Sequence, residues 1–357
     1  MSLRAIAREL GVSATTVSLA LRNVPRVSPE LGDRIRRLAR ERGYVPNAKI
    51  VELMGAVRRA DAKRYQATLG AFSLYPEREP WRRPDFGYLR LLLEGGKRTA
   101  ERHGYRLEYL WFKDPRMSPA RFRSIVDARG IRGLFCLGSL DPEEICPPEL
   151  AGLAVTTQGA SVPSALHRVA SHFAADARRL FSELLRRGYR RPGLSILVHG
   201  DRRTEFAYTS YYLGVLERSC SGALIPILRT DHWDEVAFDA WFMAHRPDVI
   251  VLHQSPAFLE AMESYLRRRN LRVPQDVGIA LLDKNPDPAR YSGMRQDPER
   301  IGAAAIENLI GRVLVRDFEP PRFPRVELVV GEWNEGSTLR LTSAEAGTAA
   351  RPQFTST

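Results

Sequence analysis

The sequence predicts an α/β protein in which a small helical head precedes a larger body of parallel sheets. Within the first 47 residues, apolar side chains recur at helical spacing in three short segments separated by turn residues. From residue 68 to residue 341, short apolar runs alternate with longer amphipathic stretches, which is typical of strands joined by crossover helices. The positive charge is also concentrated at the N-terminus, so the sequence separates a basic head from a nearly neutral body.

The charge balance indicates what the head can bind. The 357 residues carry a formal net charge of +12, and residues 1–64 hold 14 basic side chains against six acidic ones. Two thirds of the excess therefore lies in the first sixth of the chain. Such asymmetry is typical of a segment that contacts a polyanion. Arginine is abundant throughout the sequence, however, so charge alone leaves both interpretations open.

Several other classes of protein do not fit the sequence. No run approaches the roughly 18 apolar residues of a membrane span, and the charged N-terminus lacks the apolar stretch of a secretory signal. Cys136, Cys146 and Cys220 form neither a metal-binding pattern nor a disulfide framework. The seven histidines show no paired ligand spacing, and nucleotide-binding glycine loops are missing. We therefore expect a cytoplasmic protein that is not an enzyme and uses no metal or cofactor.

Each predicted helix of the head has an identifiable start. Ser2 can cap the first helix, and Gly11 ends it because glycine adopts positive φ readily. Ser13 begins the second helix, and the Ser28-Pro29 pair opens the third. Two short helices joined by a tight glycine turn form a helix-turn-helix unit. The predicted core positions of the head are Ile6, Leu10, Val17, Leu21, Leu31, Ile35 and Leu38.

The body alternates between strands and helices along its whole length. Strands are predicted at residues 68–74, 106–111, 134–137, 153–157, 194–198, 224–228, 249–253 and 277–282. Helices are predicted at residues 88–103, 118–128, 173–187, 209–218, 233–245, 256–269 and 300–314. This order implies parallel sheets covered by helices on both faces. Ligands of such sheets bind beyond the carboxyl ends of the strands.

The head resembles a known family over its whole length. The matching segments are Ala7–Ser13, Thr16–Ser18, Leu21, Asn23, Arg26–Ser28 and Gly43–Asn47. Through them the head resembles the DNA-binding domain of the LacI/GalR family of bacterial transcriptional regulators. The resemblance implies that the second helix lies in the major groove of DNA. It also implies a set of DNA-contacting residues: Ala14, Thr15 and Leu19 at base edges, Ser13, Thr16, Ser18 and Asn23 beside phosphates, and Asn47 at the end of the head.

Two positions of the DNA-binding region depart from the family pattern. Many members carry arginine where this chain has Leu19, which predicts a different operator with an apolar contact to a thymine methyl. Residues 48–67 correspond to the hinge helix and linker, and Leu53 matches the residue that wedges into a minor-groove step. This hinge is less alanine-rich than usual and its linker is longer, so Leu53 as ordinary helix core is the alternative.

The body resembles the same family more weakly, through residues 93–105, 187–191 and 272–283. The resemblance implies two Rossmann-like lobes around a cleft, as in periplasmic binding proteins, and a body that dimerises. We therefore expect a head at residues 1–47, a hinge and linker at 48–67, and a two-lobed body at 68–341. Residues 342–357 are rich in Ala, Thr, Ser, Gly and Pro, which predicts a disordered tail.

The resemblance also indicates which residues line the effector site. The expected set is Tyr75, Tyr88, His172, Phe173, Tyr211, Gln254 and Asp283. Asp283 is the strongest candidate, because a carboxylate at a strand end accepts sugar hydroxyls. A helix cap or a surface acid is the alternative for this residue. Most members have an effector-binding arginine where this chain has Tyr211, so a neutral sugar is favoured over an anionic effector, unless the pocket binds nothing.

These predictions lead to one function and one alternative. The favoured function is a transcriptional repressor that binds a palindromic double-stranded DNA operator as a homodimer, without membrane association. A small molecule in the cleft, expected to be a sugar, controls it. The alternative is a cytoplasmic sugar-binding or sugar-modifying protein that has no operator. The head and the absence of a signal peptide favour the repressor.

Overall fold

The structure is a computed structural model. It describes residues 3–21, 27–42, 67–83, 86–141, 143–219, 224–283 and 289–341. The predicted cap Ser2, the predicted DNA contacts Asn23 and Asn47, and the predicted wedge Leu53 lie outside these ranges. The hinge helix and the tail at residues 342–357 also lie outside them, so the predictions for these segments remain predictions.

The head contains the three predicted helices, α1 (Leu3–Glu9), α2 (Ala14–Leu21) and α3 (Pro29–Glu41). The Ser13 hydroxyl oxygen accepts the Thr16 N–H at 3.0 Å, and the Ser28 hydroxyl accepts the Leu31 N–H at 3.4 Å. Both predicted caps are therefore confirmed. Gly11 has φ +66° and separates α1 from α2, as the glycine turn requires. The buried core of the head consists of Ile6, Ala7, Val17, Ala20, Ile35 and Ala39.

The body contains more strands and helices than the sequence predicts. Its strands are β1 (Ala67–Ser73), β2 (Tyr105–Trp111), β3 (Gly133–Cys136), β4 (Ala154–Gln158), β5 (His167–Ser171), β6 (Pro192–Ile196), β7 (Leu228–Arg229), β8 (Val249–His253), β9 (Gly278–Leu281), β10 (Ser292–Arg295), β11 (Val326–Val329) and β12 (Glu332–Asn334). Its helices are α4 (Gly87–Arg102), α5 (Pro119–Ala128), α6 (Phe173–Arg186), α7 (Val198–Arg203), α8 (Ala207–Ser219), α9 (Glu235–His245), α10 (Pro256–Arg268) and α11 (Pro298–Val315).

The strands form two sheets, one in each lobe. The first has the order β11-β5-β4-β3-β1-β2 and the second the order β12-β10-β9-β8-β6-β7. Pairing is parallel throughout both sheets except between β10 and β12. The chain crosses from lobe to lobe after β5, after β10 and after β11. The two predicted lobes are therefore confirmed, and both draw a strand from the C-terminal region.

Helices cover both faces of the first sheet. On one face α4 and α11 pack over Leu69, Ala71 and Val169, and on the other α5 packs over Phe72 and Leu134. Consecutive residues of β1 thus point to opposite cores, as the pleat of a strand requires. Among the described helices, none is long and apolar enough to cross a membrane.

The predicted strand at residues 224–228 is wrong for most of its length. Only Leu228–Arg229 forms β7, and residues 224–227 are not part of a strand. Pro226 interrupts the apolar run because it has no N–H to donate to a neighbouring strand. The predicted strand at 194–198 also ends two residues early, at Ile196, because Val198 already begins α7.

Candidate DNA-binding surface and effector cleft

The start of α2 carries the first of the predicted DNA contacts. Ser13 is exposed and Thr16 is half-buried, and their hydroxyl oxygens lie 2.8 Å apart. The two residues therefore form a local polar pair at the N-terminus of the helix, where backbone N–H groups favour phosphates. The remaining predicted contacts within this helix are Ala14, Thr15, Ser18 and Leu19.

The head arginines whose side chains the structure describes form two groups. Arg36 pairs with Asp33 and donates to the Ala20 carbonyl oxygen at 3.0 Å, so it ties α3 to α2. Arg42 pairs with Glu9 at 2.6 Å. The second group comprises exposed arginines that make no ion pair in the part of the head that the structure describes: Arg8, Arg34 and Arg37. This second group leaves positive charge available for a polyanion.

In the second lobe, the carboxyl ends of β8 and β9 bring predicted effector residues together. Leu252 pairs with Leu281, so the residues that follow these strands are neighbours. His253 Nε2 lies 3.0 Å from Asp283 Oδ2. Gln254 donates to the Ser195 hydroxyl at 3.0 Å.

Two polar atoms at this strand edge are left for other partners. His253 Nδ1 and Gln254 Oε1 are buried, and neither has a hydrogen-bond partner in the described structure. A cavity of about 20 Å³ lies beside Gln254 and is lined by Leu252, Gln254, Ser255, Pro256, Leu259, Leu281 and Asp283. It has room for a water or one hydroxyl group.

Aromatic rings line the first lobe at the carboxyl end of β1. Tyr75 is buried, and its ring meets that of Phe86 edge-on at 5.2 Å between centroids. Tyr88 is half-buried and lies near Tyr75, Gln158 and Arg203. Burial raises the pKa of the Tyr88 phenol well above its usual value, and nearby Tyr75 adds to this shift. Tyr88 therefore stays neutral, as an aromatic surface with a hydroxyl that can donate and accept.

Two predicted residues lie at the first crossover between the lobes. The Nδ1 atom of His172 accepts the Ala175 N–H at 3.3 Å and so caps α6. Phe173 packs edge-on against Tyr208 at 5.4 Å, and Tyr208 in turn lies 5.2 Å from the His253 ring. Phe173 is thus connected to the His253–Asp283 pair through one buried ring.

Tyr211 is not brought into either cluster by its contacts. It stacks on Phe181 of α6, with 6.0 Å between centroids and 17° between the ring planes. Ser182 and Arg178 are its other neighbours on α6. The residue that aligns with the arginine of the family therefore packs between two helices of the second lobe.

The residue that the sequence analysis missed is Arg203, the last residue of α7. Its Nη2 donates to the Ser139 carbonyl oxygen at 2.7 Å and to the Tyr75 hydroxyl at 3.5 Å. Its guanidinium lies 6.0 Å from the centroid of the Phe86 ring. Arg203 belongs to the second lobe and all three partners to the first, so it spans the cleft. The available signal was its position, seven residues beyond the end of β6 at Ile196.

The His253–Asp283 pair lies beside the buried ring of Tyr208. In the segments that the structure describes, no three His, Cys, Asp or Glu side chains are placed to hold a metal ion. The cleft presents aromatic rings on one side and polar groups on the other, an arrangement that can bind a small molecule.

A helix-turn-helix head joined to a two-lobed body of parallel sheets defines a class of DNA-binding regulators. Residues 2–47 match the family model described as "Bacterial regulatory proteins, lacI family". Residues 181–338 match the model of the "Periplasmic binding protein-like domain". The chain belongs to the lacI family of bacterial regulatory proteins, as the sequence analysis predicted.

Solved structures of this family share the fold. The chain is similar to a transcriptional regulator CelR–cellobiose complex, with TM-score 0.57, 18% identity and coverage of 95% of this chain and 99% of that chain. It is similar to the lac repressor dimer bound to operator and the anti-inducer ONPF, with TM-score 0.54, 16% identity and coverage of 96% and 99%. It is also similar to a periplasmic binding protein/LacI transcriptional regulator from Alkaliphilus metalliredigens QYMF complexed with D-xylulofuranose, with TM-score 0.54, 16% identity and coverage of 77% and 100%. No curated protein matches the chain.

Proposed function

We propose that the protein is a repressor that binds a palindromic DNA operator as a homodimer and is released or retained by a small molecule. The observation that carries the proposal is the match of residues 2–47 to the lacI-family head, joined to a body with a cleft. In this proposal α2 enters the major groove, and the exposed arginines Arg8, Arg34 and Arg37 provide charge for phosphates. Acting on bacterial DNA, the protein works in the cytoplasm at the nucleoid.

The proposed DNA contacts are those implied by the family resemblance. Small side chains on α2 approach base edges closely, while hydroxyl groups beside them hold phosphates. The proposed contacts are Ser13, Ala14, Thr15, Thr16, Ser18, Leu19, Asn23 and Asn47, with Leu53 as the wedge at the operator centre.

A carbohydrate is the proposed effector class, and binding rather than catalysis is the proposed role of the cleft. Aromatic rings at Tyr75 and Tyr88 suit the apolar face of a sugar, while Gln254 and Asp283 suit its hydroxyls. His172 and Phe173 are proposed to border the site at the first crossover. Tyr211 is the weakest member of the proposed set, because its ring stacks on Phe181. Two similar structures hold sugars in their own sites, cellobiose and D-xylulofuranose.

The test is selection of DNA from a random pool by the full-length protein, followed by binding assays at increasing salt. We expect a near-palindromic consensus and an affinity that falls steeply with salt, because counterions are released from neutralised phosphates. Deleting residues 1–64 should abolish DNA binding while ligand binding to the body survives. If the selection yields no consensus and sugars still stabilise the protein, the alternative of a sugar-binding protein without an operator is favoured.

A further inference from the structure

Arg203 places a positive charge between the two lobes, and the partners that the structure describes for it are neutral groups. It is half-buried at the end of α7, and its hydrogen-bond acceptors are the Ser139 carbonyl and the Tyr75 hydroxyl. Both bonds come from Nη2, while Nε and Nη1 make no hydrogen bond in the described segments. A guanidinium presents its N–H groups as a planar fork that suits two oxygens of a carboxylate or phosphate. A single carbonyl uses only part of that capacity.

Several acidic side chains that the structure describes around the cleft have partners of their own. Glu144 pairs with Lys113 and accepts the Ser139 hydroxyl at 2.7 Å. Asp201 accepts the Thr209 hydroxyl at 2.8 Å.

Two further carboxylates of the cleft are likewise engaged. Asp283 lies against His253, and Glu77 Oε1 pairs with Arg83 at 3.3 Å, while the buried Glu77 Oε2 has no hydrogen-bond partner in the described segments. Arg203, by contrast, makes no ion pair anywhere in the part of the chain that the structure describes. Among the residues that the structure describes, Arg203 is therefore a cation without a paired carboxylate, and a partly desolvated cation is stabilised by an anion that also accepts its hydrogen bonds.

The position of α7 puts this charge next to the polar end of the second lobe. Gly200 lies so close to His253 that a Cβ there would come within 2.6 Å of the His253 ring. Arg203 follows one helical turn later and faces Tyr75 and Phe86 of the first lobe. One molecule in the cleft can thus meet the His253–Asp283 pair, the aromatic rings and the guanidinium together.

We infer that the effector of this protein carries an anionic group, a carboxylate or a phosphate, and that Arg203 binds it. The inference rests on the proposed function, since it specifies the ligand of the same cleft. Tyr211 on α8, standing where the family has an arginine, led us to expect a neutral effector. The inference reverses that expectation, because α7 supplies a guanidinium through Arg203. Arg203 also selects between effectors, since a neutral sugar of the same shape leaves its charge without a counterion.

The experiment measures thermal stabilisation of the full-length protein by two simple anions, inorganic phosphate and acetate. Each is compared with chloride at equal ionic strength, and glucose serves as a neutral probe. The variants are Arg203→Gln, Arg203→Lys and the control Arg202→Gln, which removes an exposed charge from the same helix. Each variant is referred to its own melting temperature in chloride, so a change in basal stability does not affect the comparison.

We expect at least one anion to raise the melting temperature of the wild type and of Arg202→Gln by a few degrees. Its apparent affinity should fall about tenfold or more in Arg203→Gln, since a charge-assisted partner is lost. Arg203→Lys should lie between the two, because it keeps the charge and loses the fork. A response to phosphate alone indicates a phosphorylated ligand, and a response to acetate alone indicates a carboxylate.

The inference is overturned if neither anion stabilises the wild type beyond chloride. It is also overturned if an anion stabilises Arg203→Gln as strongly as the wild type, or if only glucose acts. None of these outcomes touches the proposed function, which is judged from DNA binding by the same preparations. Loss of DNA binding in the wild type, with anion binding at Arg203 intact, would instead remove the repressor and keep the anion site.

Discussion

Asp176 is a buried carboxylate where the chain crosses between the two lobes. It lies in the first turn of α6, where its oxygens accept the Gln296 side-chain N–H at 2.6 Å and the Gly331 backbone N–H at 2.9 Å. Gln296 belongs to the second crossover and Gly331 to the third, so one side chain joins three crossover segments. Burial raises the pKa of Asp176, although both hydrogen bonds act in the opposite direction.

Replacing Asp176 with alanine should destabilise the protein by about 1–3 kcal/mol, because Gly331 N–H and Gln296 lose their acceptor in a buried place. Asp176→Asn is the matched control, since its amide still offers one acceptor and has the same shape. Urea unfolding followed by intrinsic fluorescence measures both. If Asp176→Asn lowers the free energy of unfolding as much as Asp176→Ala does, the negative charge itself stabilises the three crossover segments.

Comparison of the wild type with Asp176→Asn also yields a prediction about the pH dependence of stability. Since the folded-state pKa of Asp176 is raised, its contribution to stability is complete below the unfolded pKa of about 4. That contribution is lost as the pH rises through the folded-state pKa. The stability of the wild type relative to Asp176→Asn should therefore decrease from pH 4 towards neutrality. Parallel stability curves for the two proteins over this range would contradict the raised pKa.

At the scale of elements, α4 and α11 cross with their backbones in contact. A Cβ built on Gly95 would lie 2.1 Å from the Glu299 carbonyl oxygen, and one on Gly302 would lie 2.0 Å from the Leu92 carbonyl oxygen. Each helix thus offers a glycine to the main chain of the other. The apolar rows beside these glycines form the core of the first lobe, so this crossing fixes how α11 lies on the sheet.

The Gly302→Ala substitution should destabilise the protein by about 1–3 kcal/mol or more, because the collision is with backbone that cannot move aside. Gly311→Ala is the control in the same helix, where a Cβ meets nothing within 4 Å. It should stabilise the protein by about 0.5–1 kcal/mol, since alanine is the better helix former. Thermal unfolding of the two variants decides the matter, and shifts of equal sign would refute the packing argument.

The sequence predicts the central elements of the fold and misses those whose pairing depends on neighbours. Strands such as β3 and β8 are mainly apolar runs in which every residue is buried, and their sequences reveal them. β5, β10, β11 and β12 were missed, because their short polar or mixed sequences become strands only beside a partner. α7 was missed because its six residues include a glycine and show no apolar stripe.

Among the candidate site residues, those that follow strands were predictable and those on helices were not. Tyr75, Gln254 and Asp283 were predictable, because they follow strands directly and parallel strands end at one edge. Arg203 and Tyr211 lie on helices, and the direction of a helical side chain depends on how the helix packs. The sequence therefore predicted the residues at the strand ends, whereas it gave no indication of the guanidinium that α7 brings beside Tyr75 and Phe86.

At the scale of the whole molecule, the head and the body differ in how many of their arginines are paired with acidic side chains. Most arginines of the body have acidic partners, as the ion pairs along its surface show. In the head, Arg34 and Arg37 are exposed and make no ion pair among the residues that the structure describes, whereas Arg42 is paired with Glu9. The head therefore has charge to offer to DNA that a count of arginines over the chain does not reveal.

Arg34→Gln and Arg37→Gln should each weaken DNA binding and reduce the slope of log affinity against log salt by about 0.9, if each arginine neutralises one phosphate. Arg42→Gln removes the same charge from a residue already paired within the head, so its slope should change less. Fluorescence anisotropy with duplex DNA between about 50 and 200 mM salt measures all three. Equal slopes in all variants would exclude Arg34 and Arg37 from phosphate contact.

The late strands β11 and β12 have a consequence for how the protein is made. β11 is the edge strand of the first lobe and β12 that of the second, and both follow residue 325. The ribosome must therefore pass residue 325 before either sheet is complete, whereas the helices of the head are already synthesised by residue 41. A chain truncated before residue 326 would contain the complete helix-turn-helix, but each sheet of its body would lack one of its two edge strands.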